Sequence, residues 1–133
     1  MAVSILLVTH NNLGQSLLDT VITTLGTAPA LSVQAIAVRY DTDPERLLPR
    51  LKEVLASCDQ GDGVLVLTDM FGSTPSNLSQ ALKGEGSGVR VVAGLNLPML
   101  IRVLNYPKLS LEELVEKACS GGREGVLDCE KEI

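Results

Sequence analysis

The sequence predicts an α/β domain, doubly wound, in which a parallel sheet carries helices on both faces. Three observations predict it. Short apolar runs rich in β-branched residues recur along the chain, as strands buried on both faces require. Segments with helical apolar spacing alternate with them in single file. The 133 residues show no repeat, low-complexity tract or interdomain linker, so residues 1–133 read as a single domain.

Val3 to Thr9 is a continuous apolar run and gives the first strand. After Asn11-Asn12, the residues Leu13, Leu17, Leu18, Val21, Ile22 and Leu25 recur with a helical period, and Gly26 supplies a left-handed stop. Leu31 to Val38 reads as the second strand. Asp43-Pro44-Glu45 opens a helix as cap plus proline at the first helical position, with Leu47, Leu48, Leu51, Val54 and Leu55 inward. Pro49 removes the amide that would bond back to Glu45, which predicts a kink or a short first turn.

Val64 to Thr68 is the third strand. A short helix is expected from Thr74-Pro75, with Thr74 able to cap, and Val89 to Ala93 is the fourth strand. Pro98 to Leu104 reads as helical and stops before Pro107; Asn96 is another cap. Ser110 and Glu113 form a capping box for a last helix through about Cys119. Gly121-Gly122 then reads as a hinge into a short strand around Gly125-Val126-Leu127-Asp128. That strand is expected antiparallel at an edge, or exchanged across a dimer.

Composition excludes several classes of function. Eleven basic against sixteen acidic side chains give a net charge of −5, and aromatic residues make up only 2%, which disfavours nucleic-acid binding. Cys58, Cys119 and Cys129 are odd in number and widely spaced, so a disulfide framework or zinc knuckle is not expected and a reducing cytoplasm is. The apolar start lacks a basic leader, and no run approaches the ~18 apolar residues of a membrane span. There is no G-x-x-x-x-G-K-[ST] loop, no G-x-G-x-x-G after the first strand and no G-x-S-x-G elbow. One histidine is too few to hold a metal with Asp69 alone.

In an open parallel sheet, ligands sit beyond the carboxyl ends of the strands where the order reverses. With strand order 2-1-3-4, that crevice lies between the strands ending Thr9-His10 and Thr68-Asp69. A carboxylate that bonds one imidazole nitrogen fixes the tautomer and frees the lone pair of the other. Beside it, Phe71-Gly72-Ser73-Thr74-Pro75 enters a helix whose amides, those of Ser73 and Thr74, would cradle an anion. A nucleophilic imidazole next to an anion site points to phosphoryl transfer through phosphohistidine. The same residues also fit plainer roles. A histidine after a strand can be a loop residue, Asp69 a turn residue, and Thr74-Pro75 a helix start that needs no ligand.

Val8-Thr9-His10, the block Leu65-Val66-Leu67-Thr68-Asp69-Met70-Phe71-Gly72-Ser73-Thr74-Pro75-Ser76-Asn77 and the block Ala93-Gly94-Leu95-Asn96-Leu97-Pro98-Met99-Leu100 together resemble the IIA component of the mannose-type bacterial sugar phosphotransferase system. The match runs in order over nearly the whole chain, and the middle block is the most specific. The resemblance implies a cytoplasmic phosphocarrier that accepts a phosphoryl group from phospho-HPr on His10 and passes it to a IIB protein, with no cofactor or metal. It implies that Asp69 orients His10 and that the Thr74 hydroxyl lies near the phosphate; the residue reading adds Gly72, which lets backbone approach closely, and the Ser73 and Thr74 amides as the expected phosphate-binding groups. The resemblance also implies a homodimer that exchanges its terminal strand, with any membrane association indirect, through a permease complex.

The chain departs from the family pattern at Asn11, usually glycine, and at Ser73, also usually glycine. Asparagine tolerates left-handed backbone better than most residues. No IIB domain follows in this sequence, so the IIB partner is expected as a separate protein. The rival expectation is a non-catalytic regulatory module that binds protein partners and has lost phosphotransfer.

Overall fold

The computed structural model describes residues 2–131. The sheet consists of β1 (Ser4–His10), β2 (Val33–Val38), β3 (Val64–Thr68) and β4 (Val89–Ala93). All pairings are parallel and the order is β2-β1-β3-β4, as the sequence predicts. The helices are α1 (Leu13–Leu25), α2 (Pro44–Cys58), α3 (Thr74–Gln80), α4 (Leu97–Leu104) and α5 (Leu111–Glu124).

The period of two along a strand divides the core into two layers. Ile5, Leu7, Leu65, Leu67 and Val92 face α1, α4 and α5, where Val21, Leu100, Val103 and Leu114 meet them. Leu6, Val8, Val64 and Val66 face the other way, against Leu51, Leu55 and Leu78 of α2 and α3. β1 and β3 are central and buried along almost their whole length. Each fully buried leucine there contributes roughly 1.5–3 kcal/mol of transfer free energy.

The caps read from sequence are present. Gly26 ends α1 at φ 74°, its amide bonded to the Ile22 carbonyl. Asp43 accepts from the Glu45 amide ahead of Pro44, Asn96 accepts from the Met99 amide, and Ser110 and Glu113 complete the capping box.

Four local expectations are corrected. β2 begins at Val33, because pairing with β1 starts at Ile5↔Val33, and Leu31 is buried just ahead of the strand. α2 runs as one helix through Pro49, with no separate short turn ahead of it; Pro49 and Glu45, whose carbonyl loses its helical donor, both lie on the exposed side, where solvent can reach that carbonyl. α3 has Ser73, not Thr74, at its cap position, without a side-chain cap bond.

The largest correction is at the C-terminus. α5 continues through Gly121 and Gly122 to Glu124, and residues 125–131 form no strand on this chain's own sheet. These two glycines permit close packing of helices rather than a hinge. A Cβ on Gly121 would lie 2.6 Å from Arg102 Cβ, and one on Gly122 would lie 2.8 Å from Met99 Cε, both on α4. The Asn96 side chain donates to the Gly122 carbonyl at 3.2 Å and ties the two helices together.

Candidate active site

His10 is the last residue of β1, in register with Val38 of β2. Alternation from Leu6 and Val8 puts it on the sheet face that carries α2 and α3. The preceding residue, Thr9, faces the opposite layer, is 1% exposed, and accepts the Gly14 amide on its hydroxyl at 2.9 Å. This bond anchors the turn between β1 and α1. Asn11 then takes φ 50°, left-handed as its residue type allows, and donates its amide to the Val38 carbonyl at 2.9 Å.

Asp69 follows the last residue of β3. Its strand end is fixed from the far side by the Gly94 and Leu95 amides, which both donate to the Thr68 carbonyl. Asp69 Oδ2 lies 2.8 Å from His10 Nδ1 and 3.2 Å from the His10 amide nitrogen. The histidine side chain is 42% exposed and the aspartate 10%. With Nδ1 engaged by the carboxylate, the neutral ring carries its proton there and presents the Nε2 lone pair, which has no hydrogen-bond partner among the described residues. The two residues predicted to meet do meet.

Asp69 Oδ1 is buried without a hydrogen-bond partner among the described residues, as is the neighbouring Thr68 hydroxyl. A carboxylate short of donors on one oxygen is matched better by a cationic ring than by a neutral one. The pair is therefore suited to a reaction that leaves positive charge on the imidazole.

The loop after Asp69 only partly fits the expected anion cradle. Gly72 is at φ 83° with nothing within 4 Å of a Cβ placed there, so its glycine answers to backbone conformation and not to close approach. The Ser73 hydroxyl donates to the Met70 carbonyl at 2.6 Å, and the Ser73 amide donates to the same oxygen at 3.4 Å. Both groups close a turn. Thr74 is exposed and shares with His10 a cleft of roughly 270 Å³.

The cleft also contains residues that no sequence pattern points to. Arg39 and Thr42, from the loop between β2 and α2, line it together with His10, Asn11 and Thr74. Tyr40, which also lines the cleft, is 100% exposed, and in the loop after Asp69 the side chains of Phe71 and Met70 are 77% and 58% exposed. No helix among the described residues is long and apolar enough to cross a membrane.

Comparison with known proteins places the chain in a family and matches its fold. The family model described as the PTS (phosphotransferase) system fructose IIA component, EIIA-man, matches residues 4–119. The mannose-specific EIIAB component of Escherichia coli K12 is 33% identical over 128 residues, covering 95% of this chain and 39% of the relative. The chain thus spans about two fifths of the length of that relative. Among solved structures, the mannose/sorbose specific IIA subunit from Enterococcus faecalis superposes with a TM-score of 0.84 at 24% identity, covering 96% and 95% of the two chains. The component EIIA from Streptococcus agalactiae gives 0.82 at 26% identity, covering 96% and 98%. With the family pattern spanning strands β1 to β4 and both halves of the His10–Asp69 pair, the chain belongs to the EIIA-man family, the mannose- and fructose-type IIA components of the sugar phosphotransferase system.

Proposed function

We propose that the protein is a phosphohistidine carrier: His10 accepts a phosphoryl group from phospho-HPr and yields it to a IIB protein. The single observation that carries this reading is the 2.8 Å contact of Asp69 Oδ2 with His10 Nδ1, which leaves Nε2 free at the mouth of a cleft.

The step balances without an added reagent. The Nε2 lone pair forms a bond to phosphorus as the N–P bond of the donor's phosphoimidazolium breaks, and that electron pair returns to the donor ring as neutral imidazole. The positive charge moves to the His10 ring, whose Nδ1 proton stays against Asp69. The carboxylate thus stabilises charge that exists only as transfer proceeds, which lowers the barrier. Thr74, which lines the cleft at the start of α3, and the backbone around Gly72 and Ser73 just ahead of it are the groups we assign to the phosphoryl oxygens. Transfer to a IIB protein is the reverse step with a new acceptor. No metal is needed, because the donor arrives activated.

A homodimer is part of the proposal. β4 is an open edge of the sheet. Beside it lies a cavity of about 310 Å³ lined by Val92, Ala93, Met99 and Val126, and Val126 and Leu127 are 77% and 60% exposed. A second copy that pairs its terminal segment along β4 would cover this apolar surface. Removal of residues 125–133, leaving α5 whole, is expected to weaken the dimer in sedimentation.

Incubation with phosphoenolpyruvate, enzyme I and HPr tests the carrier. An acid-labile phosphoryl adduct is expected in the wild type and none in His10→Ala. Absence of an adduct at every HPr concentration would leave only a protein-binding, regulatory role.

A further inference from the structure

A phosphoryl group on His10 brings about two negative charges to a cleft in which the residues read from sequence offer hydroxyls and amides but no cation. Among the described residues Arg39 is the single lysine or arginine side chain lining that cleft, and no carboxylate lines it. Arg39 directly follows Val38, the residue in register with His10, so its backbone leaves the sheet next to the end of β1, and its side chain lines the cleft that His10 lines. Its Nη2 donates to the Asn12 side-chain oxygen at 3.2 Å, which draws the guanidinium across the β1–α1 turn, two residues beyond His10.

The root is held as well. The Arg39 amide donates to the Thr42 hydroxyl at 2.9 Å, and the Thr42 amide returns a bond to the Arg39 carbonyl at 3.1 Å. Asp43, on the same loop, caps α2 and pairs with Arg46 instead. Among the described residues Arg39 forms no ion pair; its one side-chain partner is a neutral amide. A guanidinium has five donors in a planar fork that matches phosphate oxygens, and four of them remain for a ligand here.

We propose that Arg39 is the phosphate-binding cation of this site, with Asn12 as the residue that positions it. The proposal rests on the phosphocarrier reading. It adds a side chain from the β2–α2 loop, opposite the α3 side where sequence patterns place the anion site. Arg39 makes and breaks no covalent bond. It binds the oxygens of the group attached to Nε2, and thereby favours the phosphorylated carrier over the free one.

Inorganic phosphate is the probe, followed through the His10 ring proton resonances at fixed pH. In the wild type the shifts are expected to saturate. In Arg39→Gln the midpoint is expected to rise by roughly threefold or more, the scale of one partly exposed ion pair. Arg39→Lys should recover part of the loss, because it keeps the charge without the fork. Asn12→Ala, which leaves Arg39 in place, should raise the midpoint by less than Arg39→Gln does. In a second measurement, the equilibrium for phosphoryl exchange with phospho-HPr should shift toward the donor by a similar factor in Arg39→Gln. Equal phosphate midpoints in wild type and Arg39→Gln, or no saturable shift in the wild type, overturn the proposal. A wild type that binds phosphate through Arg39 yet takes no phosphoryl group from phospho-HPr would instead overturn the carrier reading and leave the anion site standing.

Discussion

A single carboxylate oxygen of Asp69 holds both the ring and the main chain of His10, at 2.8 Å from Nδ1 and 3.2 Å from the amide nitrogen. The contact joins the ends of the two central strands, so orientation of the nucleophile is set by the most buried part of the sheet. The tautomer follows from it, because an acceptor at Nδ1 requires the proton there.

Asp69→Asn tests that assignment. An amide can donate to Nδ1, which moves the ring proton to Nε2 and removes the nucleophilic lone pair. It also removes the charge that faces the cationic ring. Phosphoryl acceptance from phospho-HPr is expected to fall by at least about a hundredfold, while Asp69→Ala falls less, having lost orientation without imposing the wrong tautomer. Nitrogen NMR of the ring should show the tautomer change in Asp69→Asn. An Asn variant with wild-type rates would end the orienting role.

Thr9 supports the same residue from the other face of the sheet. Its hydroxyl accepts the Gly14 amide at 2.9 Å in a site with almost no water. Thr9→Val keeps the shape and removes the acceptor, leaving a buried amide unbonded at a cost of about 1–3 kcal/mol. Urea unfolding is expected to show that loss as a lower midpoint with an unchanged slope. Stability equal to wild type would mean the amide finds another partner.

The sheet order, the caps and the His10–Asp69 pair were legible in the sequence because each depends on local patterns. Apolar runs locate strands, and the residues just after Val8 and Thr68 then fall at the switch point whatever the details of packing. Arg39 was not legible. An arginine after a strand fits any solvent-facing loop, and only the bond to Asn12 shows which way this one turns. The turn that engages Ser73 was not legible for a related reason. The residue's place before a proline-started helix suggests an anion site, but the Met70 carbonyl captures its hydroxyl. Gly121-Gly122 could mean either freedom or close approach, and the deciding atoms belong to Arg102 and Met99 on another helix.

At the opposite end of the sheet, Asp59 makes stability depend on acid. Its carboxylate accepts from the Ser87 hydroxyl and amide and from the Gly61 amide, closing the loop between α3 and β4 onto the end of α2. Hydrogen bonds from the Ser87 side chain, then from its amide, hold the carboxyl below its ordinary value. A folded value below the unfolded one, about 3.9, means the stabilisation is complete above that pH and disappears as pH falls through the folded value. The group is only partly screened from water, so the share is of the order of 1 kcal/mol or less. The stability difference between wild type and Asp59→Asn is expected to be constant near neutrality and to shrink below about pH 4. A difference that stays constant down to pH 2 would remove Asp59 as its source.

The two glycines of α5 separate close packing from hinge freedom. Alanine in a helix interior is favoured over glycine by about 1 kcal/mol, so a glycine with room around it is improved by the change. At Gly121 the new methyl would meet Arg102 Cβ at 2.6 Å and Cγ at 2.8 Å, atoms close to the α4 backbone that cannot swing aside. Gly121→Ala is therefore expected to lose roughly 1–3 kcal/mol as α4 and α5 are forced apart. At Gly122 the nearest atom is Met99 Cε at 2.8 Å, the tip of a flexible chain that can rotate away, so Gly122→Ala should cost less than its neighbour. Urea unfolding of the two variants gives the order directly. If both were as stable as the wild type or more so, the glycines would not be there for helix contact, and the C-terminal segment would have the freedom that the sequence suggested.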